Sequence, residues 1–174
     1  MFKGGVGKKG KSGLLGRVDN ITDALKEKER LYFCEHVDGF NKVKSDGVTY
    51  EGAVPADYEV YFSITESTEH RSPVMTVTHH GGVDIEELDS EKLAVVPFDP
   101  LTGLKAFHVS NALMDLGAPP EVISPLVQNL PKLWDLYNNY GMLMLELNPI
   151  RMQPGKGGRL APIACDFKCA FDQD

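Results

Sequence analysis

Material for disulfides is scarce in this sequence. Its 174 residues include three cysteines, Cys34, Cys165 and Cys169, an odd number set mostly in apolar surroundings. That excludes the dense cross-linking of a small secreted scaffold. The three read as small buried hydrophobes in a reducing cytosol, with Cys165 and Cys169 as half a metal site the alternative. Long apolar runs are missing too. None approaches the roughly 18 residues of a membrane span, and no charged leader precedes an apolar segment, so no secretory signal is visible. Positive charge is in the minority, with 18 Lys and Arg against 25 Asp and Glu; the net charge of −7 argues against nucleic acid as the main partner. Internal repeats and low-complexity tracts are absent. What remains is an ordinary globular composition, expected in the cytoplasm and long enough for a sizeable core.

The few cations are unevenly placed. Lys3, Lys8, Lys9 and Lys11 crowd the first eleven residues among glycines, while the remainder is acidic. A basic, glycine-rich start on an acidic body points to a local anion site and predicts a mobile loop over residues 1–16. Gly5-Val6-Gly7-Lys8-Lys9-Gly10-Lys11-Ser12 formally matches the phosphate-binding P-loop pattern. That motif works after a buried strand and at the start of a helix. Only four residues precede Gly5, and Gly13-Leu14-Leu15-Gly16 is no helix start. A loop that covers phosphate is the better expectation, and a solvated basic terminus the plainer one.

Along the chain, Asn20 or Thr22 predicts the cap of a short helix through about Arg30, and Leu31-Tyr32-Phe33-Cys34 a strand ending at Glu35. Residues 38–57 read as a loop or hairpin. Residues 59–65 and 74–78 predict antiparallel strands around a turn at 67–72, and 93–96 another short strand closed by Asp99-Pro100. Residues 104–116 predict a helix closed by Gly117, and 119–140 a helix with a buried Ile123, Leu126, Leu130, Leu133, Trp134 and Tyr137 stripe, kinked or split at Pro125 and Pro131. A final strand pair, 142–147 and 160–166, is joined around Gly155-Lys156-Gly157-Gly158. Strands, then helices, then strands make this an α+β chain.

That last pair carries the most informative feature. Met142-Leu143-Met144-Leu145 runs into Glu146-Leu147-Asn148-Pro149, and residues 160–164 run into Cys165-Asp166-Phe167-Lys168. Two neighbouring strands ending in oxygen-bearing side chains make a site for a hard cation such as magnesium, which prefers carboxylate, amide and water ligands. Such a site usually serves phosphate chemistry, because magnesium keeps its waters and bridges to phosphates. A strand-end turn without metal is the simpler reading of Asn148-Pro149 alone. His79 and His80 are adjacent on a strand, so at most one is expected to face a cleft. Lys168 is expected either to pair with a metal-site carboxylate or to cover the sheet edge.

Several stretches in order resemble one family: Phe2-Lys3; Gly7-Lys8-Lys9-Gly10-Lys11-Ser12-Gly13; Glu35 after an apolar run; Glu59-Val60-Tyr61; His79-His80-Gly81-Gly82-Val83-Asp84-Ile85-Glu86; Asp99-Pro100-Leu101-Thr102-Gly103; Glu146-Leu147-Asn148-Pro149; and Asp166-Phe167-Lys168. Together they resemble the ATP-grasp region of the β subunit of succinyl-CoA synthetase and of ATP-citrate lyase, over nearly the whole chain. The Gly-Gly-Val-Asp and Glu-Leu-Asn-Pro motifs are the specific ones.

The resemblance implies a partial ATP-grasp fold, a mixed or antiparallel sheet with helices packed on one face. It places the end of a first subdomain at residues 1–30 and a second subdomain at 31–174. It implies ATP and Mg2+ as cofactors. Lys3 would reach the phosphates; Lys9, Gly10 and Lys11 would lie in the loop over them; Glu35 would sit beside the adenine and Glu59 at the ribose hydroxyls. Asn148 and Asp166 would hold the metal. Glu146, the catalytic candidate, would meet a phosphohistidine loop brought by another domain, and Gly81, Gly82 and Asp84 would face the cleft. Phosphate would pass from ATP to that histidine, then to a carboxylate, and coenzyme A would capture the acyl phosphate. Such chemistry is mostly positioning and charge neutralisation, which lysines and metal oxygens supply.

The family's first ATP-grasp elements upstream and its coenzyme A-ligase domain downstream are not in this sequence. The chain is therefore expected to be a piece, inactive alone, of an oligomeric parent. Its expected partners are a coenzyme A-ligase domain or subunit carrying the phosphohistidine and a dicarboxylate or tricarboxylate held mainly elsewhere. The runs at 8–14 and 79–84 look more like ATP-citrate lyase or citryl-CoA synthetase, and 99–103 more like succinyl-CoA synthetase. The citrate branch is the preferred expectation. A fragment that only docks a partner subunit is the competing reading.

Overall fold

The computed structural model describes residues 2–4, 15–33, 35–38, 41–44, 47–82, 85 and 88–172, with the backbone alone at 2–4, 15, 35–38 and 41–44. The lysine-rich pattern from Gly5 to Ser12 and the Cys34 and Asp84 positions lie outside the described residues. The expected boundary near residue 30 falls inside a helix; the chain divides instead into compact units 1–53 and 54–174.

In the first unit, β1 (Phe2–Gly4) lies between β2 (Leu15–Gly16) and β5 (Val48–Tyr50), both antiparallel to it. α1 (Ile21–Phe33) starts at Asn20, whose Oδ1 accepts the Asp23 N–H at 2.9 Å, an N-cap contact that satisfies a helix-end donor. The residues 31–33 expected as a strand are helical. Leu31 lies two turns beyond Ala24 on the same face, and both pack with Val18 and Val48, so the apolar period of the helix outweighs the β-propensity of Tyr32 and Phe33. β3 (Glu35–Asp38) and β4 (Asn41–Lys44) form a separate hairpin.

The second unit is a six-stranded sheet with helices on one face. β6 (Tyr58–Ser67) and β7 (Ser72–Thr78) form a hairpin, and β8 (Ala94–Pro97) adds outside β7. β9 (Met142–Pro154) pairs with β6 on one side, and on the other with both β10 (Leu160–Ala164) and β11 (Phe167–Phe171). The sequence stops β9 at Leu147 and leaves out β11; the strand in fact runs seven residues further, because Asn148-Pro149 bends it without ending it. The rims carry Pro97 in β8, Pro162 in β10 and the exposed Lys168 in β11.

Side chains on successive strand residues alternate between faces. Val60, Phe62 and Ile64 of β6, Met75 and Val77 of β7, and Leu145, Leu147, Ile150 and Met152 of β9 form one core. The helices close over it: α2 (Ala106–Asp115) with Val109 and Leu113, α3 (Pro120–Asn129) with Val122 and Leu126, and α4 (Lys132–Asn139) with Trp134 and Tyr137. α3 and α4 are separate helices, and Pro131, which has no N–H to donate, stands at their junction. Gly117, at φ 73°, ends α2, with the Ala118 N–H donating to Leu113 O at 2.9 Å, the left-handed helix stop that glycine favours. No helix among the described residues is long and apolar enough to cross a membrane.

The parity of β9 reverses in its middle. Leu145 and Leu147 face the helices, then Ile150 and Met152 do, while the pairing with β6 shifts register between Val60 and Phe62. The switch falls at Asn148-Pro149, whose peptide bond is cis. It leaves Glu146 and Arg151 both on the face away from the helices.

Candidate functional site

The face of this sheet away from the helices is polar. Across it, Thr76 of β7 stands opposite Ser63 of β6, Ser63 opposite Glu146 of β9, and Glu146 opposite Lys168 of β11. Directly opposed residues in antiparallel strands point to the same side, so Glu146 sits in a row with a hydroxyl on one flank and a lysine on the other. The neighbouring Tyr61 hydroxyl donates to Glu146 Oε2 at 3.3 Å. Burial raises the Tyr61 pKa, against a hydrogen bond with Ser63 that lowers it, and the Glu146 charge raises it further. Tyr61 therefore stays protonated and serves as a donor that holds the carboxylate in place.

Asn148 and Asp166 meet across the β9–β11 junction. The flanking pairs are Leu147 with Phe167 and Ile150 with Ala164; the same register sets Asp166 opposite Asn148, and the Asn148 N–H donates to Asp166 O at 3.2 Å. Asp166 is exposed and Asn148 half-buried. Both side chains offer oxygen, the donor type of a hard cation, and two protein oxygens are about the number magnesium takes when waters and phosphates fill the rest of its shell. Among the described residues no group of three or more His, Cys, Asp or Glu could hold a metal ion.

A tight turn beyond β7 reaches this pair. The Gly82 N–H donates to Asn148 Oδ1 at 3.0 Å, and the Gly81 N–H to Glu59 O at 2.7 Å. Gly82 has φ 73°, and a Cβ on Gly81 would lie 2.6 Å from the Val60 backbone, so both positions require glycine. Glu59 itself is engaged: its Oε1 accepts from Arg151 Nε at 2.7 Å and is in ion-pair contact with Nη2 at 2.6 Å, while Arg151 Nη1 donates to Val54 O at 2.8 Å.

Of the expected site residues, Glu59, Gly81, Gly82, Glu146, Asn148 and Asp166 lie together at this face. Lys3, paired with Thr49 and Leu15, and Glu35, opposite Lys44, belong to the first unit, and their side chains lie outside the described residues. Lys9, Gly10, Lys11 and Asp84 lie outside them altogether. His79 and His80 do not point apart as alternation requires: their rings lie side by side, centroids 4.2 Å apart and tilted by 36°. β7 has already ended at Thr78, whose Oγ1 accepts the His80 N–H at 3.1 Å. His79 Nδ1 is buried with no partner among the described residues; burial and, after it, the nearby His80 lower its pKa. Arg151 and Tyr61 had no signal as site residues, Arg151 because β9 was expected to have ended before it.

A sheet of this order, helices on one face and paired oxygens with a diglycine turn on the other, fits a nucleotide-binding α+β class. A family model described as an ATP-grasp domain matches residues 3–152, and the chain belongs to the ATP-grasp family. Succinate–CoA ligase (ADP-forming) subunit beta of Desulfatibacillum aliphaticivorans is 30% identical over 172 residues, 97% of this chain and 44% of that protein. The structure of ATP citrate lyase from Methanothrix soehngenii in complex with citrate and coenzyme A aligns at TM-score 0.75 with 20% identity, over 98% of this chain and 38% of the other. Dinucleotide-forming acetyl-coenzyme A synthetase 1 of Ca. Korarchaeum cryptofilum, in complex with coenzyme A, acetyl-coenzyme A and a phosphorylated phosphohistidine segment, aligns at TM-score 0.65 with 14% identity, over 98% of this chain and 75% of the other. At such identities the two structures speak to the fold. The chain spans less than half the length of the curated relative it matches.

Proposed function

We propose that this chain is the ATP-binding part of an ADP-forming acid–CoA ligase. The supporting observation is the polar face of β9: Glu146 in its Tyr61 hydrogen bond, and Asn148 opposite Asp166 with the Gly82 N–H on its amide oxygen. Asn148 and Asp166 would hold Mg2+, which supplies charge neutralisation to the ATP phosphates. Lys3, Lys9, Gly10 and Lys11 are assigned to those phosphates, Glu35 to the adenine edge, and Glu59 to the ribose hydroxyls through Oε2, its other oxygen being taken by Arg151. Gly81, Gly82 and Asp84 form the loop at the cleft.

Glu146 is assigned to orient a histidine carried by another domain or subunit. The γ-phosphoryl group passes from ATP to that imidazole nitrogen, releasing ADP, then moves to a carboxylate oxygen, and the coenzyme A thiol displaces phosphate to give the thioester. The proposed acid is citrate, on the runs at 79–84 and 8–14. Succinate is the second reading, favoured by the 30%-identical relative and the run at 99–103. The chain alone would bind nucleotide without completing the reaction, in the cytoplasm.

Isothermal titration of the chain with ATP, with and without magnesium, tests the reading against the double variant Asn148→Ala, Asp166→Ala. Magnesium should tighten ATP binding by the wild-type chain and leave the variant unaffected. Equal binding by the two proteins would overturn the assignment and favour a fragment that only docks a partner subunit.

A further inference from the structure

We infer that Arg151 is a positioning residue for the metal ligand Asn148, acting through Glu59 and the Gly81-Gly82 turn; this rests on the magnesium reading above. Arg151 clamps Glu59 Oε1 with two nitrogens, at 2.7 and 2.6 Å, and ties the pair to the Val54 carbonyl with a third at 2.8 Å. Nε and Nη1 thus donate to two different acceptors while Nη2 stays in ion-pair contact, a planar spread that lysine cannot reproduce. The pair is about 30% exposed on both sides, which limits the competition from water.

Glu59 transmits this constraint by two routes. Its backbone carbonyl accepts the Gly81 N–H at 2.7 Å, and it bridges in parallel to His80. Its Oε2 occupies the space that Gly82 leaves open, 1.9 Å from where a Cβ would stand. The turn is therefore held from below by backbone and from the side by a carboxylate that Arg151 fixes. The Gly82 N–H can only donate, so the atom of Asn148 facing it must be oxygen. That sets the amide plane and sends Oδ1, not Nδ2, toward the turn. Removing the guanidinium leaves Glu59 free to swing, the turn loses its lateral support, and the Gly82 N–H contact to Asn148 Oδ1 weakens.

Two readouts test this. Arg151→Met should raise the magnesium concentration needed for half-maximal ATP binding by about tenfold, as removal of a group that orients a metal ligand typically does. Arg151→Lys should recover only part of the loss. Independently of any ligand, hydrogen exchange at the Gly82 amide should speed up by about tenfold in Arg151→Met, while Phe62 and Ile64 amides in the sheet keep wild-type protection. Wild-type exchange at Gly82 overturns the inference whatever the nucleotide data. If magnesium dependence is lost in Asn148→Ala, Asp166→Ala but intact in Arg151→Met, the inference fails and the magnesium reading stands. If wild type shows no magnesium dependence, that reading fails, and the exchange result alone decides whether Arg151 orders the turn.

Discussion

Acidification acts on the fold through His79 and His108. Burial depresses both below the ordinary histidine value of 6.5, helped by His80 in the first case and Lys105 in the second. Below 6.5 the unfolded chain takes up these protons and the folded chain resists them, so unfolding binds protons and stability falls as pH drops. Full stability is present above 6.5. Glu27, lowered chiefly by its hydrogen bond with Arg30, adds its loss only below about 4.5. The urea midpoint should therefore decline between 6.5 and 4.5, and the double variant His79→Gln, His108→Gln should flatten that decline. A wild-type midpoint constant through the window would refute the burial argument. Individual residues stood out in the sequence where their type is chemically rare at their place, acids and an amide closing apolar runs at Glu146, Asn148 and Asp166, and the structure brings these three to one face. Arg151 did not stand out, because its partner Glu59 lies 92 residues away and no local pattern marks such a pair. The ring contact of His79 with His80 escaped for a related reason: alternation holds only while the strand continues.

Local elements obey the same logic. The turn from Asp99 to Gly103 closes with the Leu101 N–H on Asp99 Oδ1 at 2.8 Å and the Gly103 N–H on Asp99 O at 2.8 Å. Gly103 has φ 74°, and a Cβ there would stand 2.4 Å from Trp134 Cδ1. Gly103→Ala combines left-handed strain with overpacking and should cost about 1–3 kcal/mol. Trp134, the single tryptophan, packs against Phe98 at 5.0 Å and Tyr137 at 5.5 Å, so its fluorescence should shift with the lost stability. An unchanged midpoint and spectrum would show that the turn accommodates a methyl group. The hairpin of β6 and β7 and the three helices were readable because their apolar periods are long. Residues 31–33 were misread because three apolar side chains fit either period, and the burial of Leu31 decides. β11 was missed because Phe167 and Phe171 remain about half exposed, which blurs alternation.

The two compact units differ in how much apolar surface they bury. Among the described side chains of residues 1–53, Leu31 alone is a buried hydrophobe, while Ile21, Leu25, Phe33 and Tyr50 are 60–81% exposed; the second unit holds the large core around Phe62 and Leu145. Fewer buried contacts mean cheaper local opening. Amides of β5 should accordingly exchange well before those of β6, and simultaneous exchange of both would show one cooperative whole. The α+β class was readable from the order of elements, and the one-sided helix layer was implied by the ATP-grasp resemblance. The division at residue 53 was not readable: Gly52 and Pro55 flank it, but they fall inside the stretch 38–57 that reads as one loop or hairpin.

The rims of the large sheet have a consequence for the protein in concentrated solution. Pro97 and Pro162 each delete a hydrogen-bond donor from an outermost strand, and Lys168 plants a charge on the third. A further strand arriving from outside finds an interrupted ladder, so copies of this chain have little to zip onto, and the sheet stays finite.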